Sequence, residues 1–309
     1  RSSDLSVSVV KLIDITESLE YLIHMKLNSA QLEAFTIVAK AVSFTKAAAE
    51  LHVTQSALSQ RIAKLEDELE TTLFIRDRTS IRLTEAGEKV LRFCQLSDGA
   101  ESELLSSLKT NQEGFAGVLR IGGFSSVNRS LVIPALRKLV CENPRLSIDL
   151  QTKELSELPL LLKSATVDYI LTTEKTDLAG IESIFLGYKD NVLVCSKRHP
   201  LSEIYLDHDE DDLTTKRYFS QNRMKFKPLT MRYLDEVYGL IDGVKNGYGV
   251  AILPKHLIEG ERDLKVIEPK RVLRTSVYLQ YYSQPYYRRV HSVFISELQA
   301  YFRSRLSQI

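Results

Sequence analysis

Between residues 54 and 64 the chain sets out Thr54, Gln55, Ser56, Ser59, Gln60, Arg61 and Lys64 at helical spacing, with no acidic side chain among them. Carboxamides and hydroxyls match the donors and acceptors on base edges, and guanidinium or ammonium groups neutralise phosphate. The pattern therefore suits the major groove of duplex DNA. Gln55, Ser56, Ser59 and Gln60 are assigned to base edges, and Thr54, Arg61 and Lys64 mainly to the backbone. Arg76, Arg78 and Arg82 follow with Asp77 as the one acid among them, a local positive charge of the kind that phosphate contact needs. The whole chain makes no such case, because 41 basic and 40 acidic side chains leave a net charge of +1.

A second set of polar residues falls at the ends of expected strands. Ser125, Ser126 and Asn128 follow a strand and precede a helix, the place where open α/β sheets bind ligands and where helix N-termini favour anions. Thr152 and Thr173 follow two further strands, and Ser220 with Gln221 follows a strand expected at 217–219. None of these seven is acidic, which speaks against a lysine or arginine site. No catalytic machinery is visible: six histidines are scattered without His-Glu-x-x-His, and no serine lies in Gly-x-Ser-x-Gly. Cys94, Cys141 and Cys195 lack metal or dithiol spacing, and Cys141 and Cys195 read as buried free thiols. Gly247 and Gly249 read as a helix stop and tight turn, not a phosphate loop. No metal and no cofactor are implied.

The elements that must hold these residues can be read from periodicity. A helix over 28–42 buries Leu32, Phe35, Val38, Ala39 and Val42 behind an Asn28 cap. Ser43 caps a short second helix whose Phe44, Ala47, Ala48 and Leu51 share a face. Thr54 caps a third, where Leu58, Ile62, Leu65 and Leu69 point inward and leave the polar set outside. Strands at 73–76 and 81–84 form a hairpin bearing the arginines. Thr84 then caps a long helix whose Val90, Leu91, Cys94, Leu104, Leu105 and Leu108 offer a side to a partner, weakened at Gly99 by about 1 kcal/mol. After a linker at 112–117, strands at 118–124, 146–152, 168–171, 191–196, 217–219, 250–253 and 274–282 alternate with helices at 131–142, 157–164, 234–246 and 286–307, an α/β pattern. With 309 residues, 44% hydrophobic and 26% charged, the chain has room for about two domains. No apolar run reaches the roughly 18 residues of a membrane span. Residues 1–24, ahead of Met25, lack signal-peptide order and are set aside, whether an added segment, an upstream extension or a genuine arm. Three dispersed cysteines fit a reducing cytoplasm.

The run from Ala47 through Thr54-Gln55-Ser56-Ala57-Leu58-Ser59-Gln60-Arg61 to Leu65-Glu66, with Leu73-Phe74-Ile75-Arg76 and Leu83-Thr84-Glu85-Ala86-Gly87, resembles the DNA-binding head and linker entry of the LysR-type transcriptional regulator family. The resemblance continues at His199-Pro200-Leu201-Ser202 and from Asn246-Gly247-Tyr248-Gly249 to Leu253-Pro254. It implies a winged helix-turn-helix at 25–83, a linker and dimerisation helix at 84–112, and a two-lobed, periplasmic-binding-protein-like effector-binding domain at 118–309. Lobe I would take about 118–198 and 273–309, and lobe II about 199–272. Ser125, Ser126 and Asn128 resemble the family's effector-contact site. The implied activity is cytoplasmic, sequence-specific regulation of transcription on double-stranded promoter DNA, tuned by a small-molecule co-inducer of unknown identity. The implied assembly is a homodimer through the linker helices, often a homotetramer, with RNA polymerase as a further partner and no membrane. The third helix is similar to the subgroup controlling export of basic amino acids. The alternative from another class is a solute-binding or enzymatic α/β domain with an N-terminal helical interaction module.

Overall fold

The computed structural model describes residues 27–77, 80–109, 114–199, 203–284 and 287–308, without the side chains of 102, 103 and 106–109. These residues form two compact units that divide between Asp98 and Gly99.

In the first unit α1 (Ser29–Ala41), α2 (Phe44–Glu50) and α3 (Gln55–Glu68) each start where a small polar side chain takes up an orphan backbone N–H. Asn28 accepts from Ala30 at 2.9 Å, Ser43 from Lys46 at 3.3 Å and Thr54 from Ala57 at 3.2 Å. Their inner faces bury Phe35, Val38, Ala47, Leu58, Ile62 and Leu65. The hairpin of β1 (Phe74–Arg76) and β2 (Ile81–Leu83) closes this core, and the Phe74 ring lies 5.2 Å from Phe35 and 5.9 Å from Phe44. Thr84 accepts from Gly87 N–H at 3.0 Å at the start of α4 (Glu85–Lys109). Leu91 and Cys94, expected to face a partner, are buried here instead, with the Cys94 thiol at the Thr36 hydroxyl. Phe93, Leu104 and Leu105 are exposed. One face of a long helix cannot serve both the head and a partner, and the head takes 91 and 94.

The second unit is built on one sheet in the order β4-β3-β5-β11-β6-β9-β7-β8, with β10 also on β6. Its strands are β3 (Gly117–Gly123), β4 (Leu146–Thr152), β5 (Tyr169–Thr172), β6 (Ile181–Ser196), β7 (Ile204–Asp207), β8 (Thr230–Tyr233), β9 (Val250–Pro254), β10 (Leu264–Val266) and β11 (Leu273–Tyr282). A short α5 (Ser125–Val127), a π-helical turn (Asn128–Val132) and α6 (Ile133–Glu142) follow β3 without a break. Pro134 has no N–H to continue the regular ladder at this junction. In one lobe α6 and α11 (Arg289–Arg305) cover one sheet face and α7 (Leu158–Lys163) the other. In the other lobe α9 (Val237–Lys245) and α10 (Lys255–Ile258) oppose α8 (Thr214–Gln221). Strands β6 and β11 run through both.

The expected strand at 217–219 is part of α8. Its buried positions, Thr215, Tyr218 and Phe219, recur at three and four residues, a helical stripe in which adjacent aromatics imitate a strand. Strands β7, β8 and β10, each three or four residues long, are additional to the strands expected. The segment expected at 191–196 is the last third of the 16-residue β6. Gly247 does end a helix, at φ +77°. Cys141 is exposed on α6, unlike the buried Cys94 and Cys195, and corrects the expectation of a buried thiol there.

The loop after β7 is tied by charge. Asp209 Oδ1 accepts the N–H groups of Asp211 and Asp212, each at 2.8 Å, and His208 Nδ1 lies 2.7 Å from Asp212 Oδ2. Burial lowers the His208 pKa, but the hydrogen bond and charge of Asp212, with Glu154 and Asp207, outweigh it and the net shift is upward. Asp212 shifts the opposite way: burial raises it, and the His208 and Thr214 bonds carry it well below the usual range.

Two outcomes are expected. A Cβ on Gly87 would sit 2.3 Å from the Leu73 carbonyl oxygen. The clash is with backbone, so overpacking of about 1–3 kcal/mol outweighs the ~1 kcal/mol helix gain of alanine, and Gly87→Ala lowers the melting temperature. Because the folded His208 pKa lies above 6.5, its pair with Asp212 stabilises below that pH and the contribution fades as pH rises through the folded value. In Asp212→Asn only Glu154 and Asp207 still oppose burial, so the imidazole titration followed by NMR moves to lower pH. The variant's melting-temperature deficit is larger at pH 6 than at pH 8.

Candidate functional site

On the first unit, Thr54, Gln55, Ser56, Gln60, Ala63 and Lys64 are exposed along α3, while Ser59 and Arg61 are half-buried at its edges. Leu58, Ile62 and Leu65 anchor the opposite face. Lys64 stands 3.9 Å from Glu68, with its side chain 71% exposed, so this pairing holds it only weakly. The hairpin is less free. Glu66 Oε1 accepts from Leu73 N–H at 2.7 Å and Phe74 N–H at 3.2 Å, and Oε2 lies 3.7 Å from Arg76. The Arg76 guanidinium also sits 4.5 Å over the Phe44 ring. Arg82 bonds Asp77 at 3.0 Å on the open surface. Arg78 lies outside the described residues.

In the second unit, strands from both lobes end at a cleft of about 360 Å³. Ser125 and Ser126 line it, as do Phe124, Lys189 and Asn191 on its floor. Asn128 and Thr152 do not. The buried Asn128 side-chain amide reaches the Gly123 carbonyl at 3.0 Å, the Gln151 carbonyl at 3.1 Å and Thr152 Oγ1 at 3.0 Å, and so ties the ends of β3 and β4 together. Thr173 lines a neighbouring depression of about 610 Å³ with Thr172, Lys175, Thr176 and Arg217, which touches the cleft through Leu155. Ser220 and Gln221 lie exposed on α8, at a further depression with Lys216 and Arg217.

The expectation of a lining without acids fails. Glu154, Asp209, Asp211, Asp212, Asp235 and Glu236 all line the cleft. They come from loops after β4, β7 and β8, which the parallel pairings of β3 with β4 and of β7 with β8 and β9 aim at one place. The acidic run at 209–212 is visible in the sequence, yet nothing local distinguishes it from a solvated loop. Glu236 accepts from Ser125 Oγ across the cleft at 2.7 Å and from Tyr238 N–H at 3.1 Å.

Lys189 stands against these acids. Among the described residues its ammonium makes no hydrogen bond or ion pair; its contact is the Phe124 ring, 4.9 Å away. Burial pushes its pKa down to about 8, with Asp212 opposing. His256, 7% exposed, hydrogen-bonds the Ser126 backbone, and its Nε2 has no partner. Burial, then the charges of Lys189 and Arg305, lower its pKa to about 4. A neutral imidazole thus adjoins the lysine. Among the described residues no group of side chains forms a metal-binding cluster, and no helix is long and apolar enough to cross a membrane.

Comparison with known proteins follows this division. Residues 29–88 match the family model of the bacterial regulatory helix-turn-helix protein, lysR family, and residues 112–303 match the LysR substrate binding domain. The HTH-type transcriptional regulator HdfR of Yersinia enterocolitica is 31% identical over 161 residues, covering 51% of this chain and 53% of HdfR. The chain thus spans about half the length of that relative. The HTH-type transcriptional activator IlvY of Haemophilus influenzae is 25% identical over 244 residues, 74% of this chain and 83% of IlvY. Two solved structures share the fold. ArgP from Mycobacterium tuberculosis is 20% identical with a TM-score of 0.73, covering 92% of this chain and 100% of ArgP. LysG from Corynebacterium glutamicum, with bound effector Arg, is 17% identical with a TM-score of 0.71, covering 91% and 100%. Because the substrate-binding model alone spans more than half of the sequence and the helix-turn-helix model lies over the three capped helices and hairpin, the chain belongs to the LysR family of bacterial transcriptional regulators, which are not enzymes.

Proposed function

We propose that this protein binds promoter DNA through the exposed face of α3 and adjusts that binding when a small molecule occupies the cleft between its lobes. The observation that carries the reading is the capped α3, which buries three apolar residues and leaves Gln55, Ser56 and Gln60 exposed beside a basic hairpin. Gln55, Ser56, Ser59 and Gln60 take base edges, and Thr54, Arg61 and Lys64 take phosphates. Arg82, paired to Asp77, and Arg78 supply further positive charge from the hairpin. Arg76, paired to Glu66 and stacked on Phe44, offers a fixed one.

The cleft takes a co-inducer. Support comes from the converging strand ends, the unpaired Lys189 and the match to a substrate-binding domain, and from the fold shared with LysG, whose structure carries arginine as effector. Ser125 and Ser126 contact the ligand, whereas Asn128 and Thr152 brace the strand ends behind them. Thr173, Ser220 and Gln221 belong to a periphery that a larger ligand reaches. The protein works in the cytoplasm as a homodimer that pairs through α4, where Phe93, Leu104 and Leu105 are exposed. It assembles further into a tetramer on its operator and meets RNA polymerase there.

Fluorescence anisotropy with the DNA upstream of its own gene, against random duplex at several salt concentrations, tests the DNA half. Gln60→Ala loses about 1–3 kcal/mol on the specific site and little on random DNA. Arg82→Ala weakens both and lowers the salt slope by about 1. Equal loss on both duplexes for Gln60→Ala overturns its role in base reading.

A further inference from the structure

The charge of the cleft is lopsided in a way that specifies its occupant. Six carboxylates line it, and three of them are already engaged: Glu236 by Ser125 and Tyr238, Asp212 by His208 and Thr214, and Asp209 by backbone N–H groups. Glu154, Asp211 and Asp235 have carboxylates that make no hydrogen bond or ion pair among the described residues. On the floor, Lys189 is equally without a polar partner, and the N–H groups of Ser125 and Ser126 beside it have no acceptor among the described residues. Unsatisfied groups of opposite sign thus face the same space. An anion alone would meet Lys189 at the expense of the acids; a cation alone would satisfy the acids and repel Lys189.

We propose that the effector is a zwitterion of net positive charge, with its carboxylate on Lys189 and the Ser125 and Ser126 N–H groups, and two cationic groups among Glu154, Asp211 and Asp235. This rests on the reading of the cleft as the effector site and adds its chemical class, that of a basic amino acid. A carboxylate returns to the Lys189 ammonium the counter-charge that burial withholds. Two cationic groups match the excess of free carboxylates, which a neutral side chain would leave facing one another.

The test uses the full chain with five probes: L-arginine, L-lysine, agmatine (arginine without its carboxylate), L-citrulline (its uncharged isostere) and L-glutamate. Thermal shift and titration calorimetry are read for each. L-arginine or L-lysine is expected to raise the melting temperature and to bind at least tenfold more tightly than the other three. Lys189→Met removes at least tenfold of that affinity and leaves agmatine within twofold; Lys189→Gln serves if the methionine variant does not fold. Glu154→Gln with Asp211→Asn weakens L-arginine tenfold and leaves L-citrulline within twofold. Agmatine equal to arginine, L-citrulline or L-glutamate as the tightest ligand, or no binding by any of the five overturns the proposal. Ser125→Trp, which fills the cleft, separates the two readings. If it abolishes binding of a glutamate or citrulline ligand, the cleft stands and the charge assignment falls; if bound ligand ignores it, the cleft reading falls as well.

Discussion

The backbone pairing of β6 with β11 is the constraint on which the sensor unit depends. Ten residue pairs join the two strands, from Tyr282 opposite Ile181 to Leu273 opposite Asn191, and β6 continues into pairings with β9 and β10. One strand therefore belongs to the cores of both lobes. The alternation of side chains along β6 sets Lys189 and Asn191 toward the cleft and Asp190 toward the far face, where it holds Arg274 at 2.9 Å and Ser307 at 2.7 Å. A slip of one residue would exchange them. The register steps over Leu186 at an irregularity next to Gly187, whose φ of +141° suits glycine and whose missing Cβ leaves room for Leu306 and Ser307. The phase of the cleft floor is thus set a few residues upstream, by a bulge and by the end of the chain lying across it.

Charge in the cleft is tolerated rather than neutralised. An amine taken from water without a partner loses affinity for its proton, and Lys189 does so despite six carboxylates in the same lining. The π face of Phe124 offsets only part of the desolvation. Across the cleft, Asp207 is buried at the end of β7, and burial raises its pKa to about 6, with Thr215 Oγ1 donating to it at 2.6 Å and Asp212 adding repulsion. Neighbouring backbone N–H groups hold Asp209 and Asp212 in place so that repulsion does not open the loop. Both walls store uncompensated charge, and a bound molecule of matching pattern would compensate it.

The head was legible in the sequence because its signals are local. Asn28, Ser43, Thr54 and Thr84 all cap as their positions suggest, and Leu58, Ile62 and Leu65 are buried on the stripe that four- and three-residue spacing defines. The cleft was legible only in part. Ser125 and Ser126 lie just after a strand end and line the cleft, but Asn128 and Thr152 meet the same criterion and are joined instead by the bond from Asn128 Nδ2 to Thr152 Oγ1. A small polar residue after a strand serves a ligand or a tie, and only the partner, 24 residues away, decides which. The convergence of the acidic rim was hidden for a related reason: Glu154, Asp211 and Asp235 meet through parallel pairing of strands far apart in the sequence. Lys189 lay hidden in a strand of which only the final third was apolar enough to announce itself.

The head shows the same economy of local charge, with a different consequence. Glu66 sits at the acidic end of the reading helix, where it first looks like a limit to the positive face. Its carboxylate instead accepts both N–H groups at the start of the hairpin and approaches Arg76. Those N–H groups would otherwise need water, and the part-buried acid would otherwise need a cation, so each satisfies the other. Gly87 then lets the Leu73 carbonyl come close to α4, and Thr84 bonds the Thr72 carbonyl at 2.7 Å. Reading helix, hairpin and the first turn of α4 are joined by bonds that leave no hinge between them. The backbone that carries Arg61 and Lys64 is consequently held in fixed relation to the paired Arg76, an arrangement that would suit reading the spacing of phosphates along a groove.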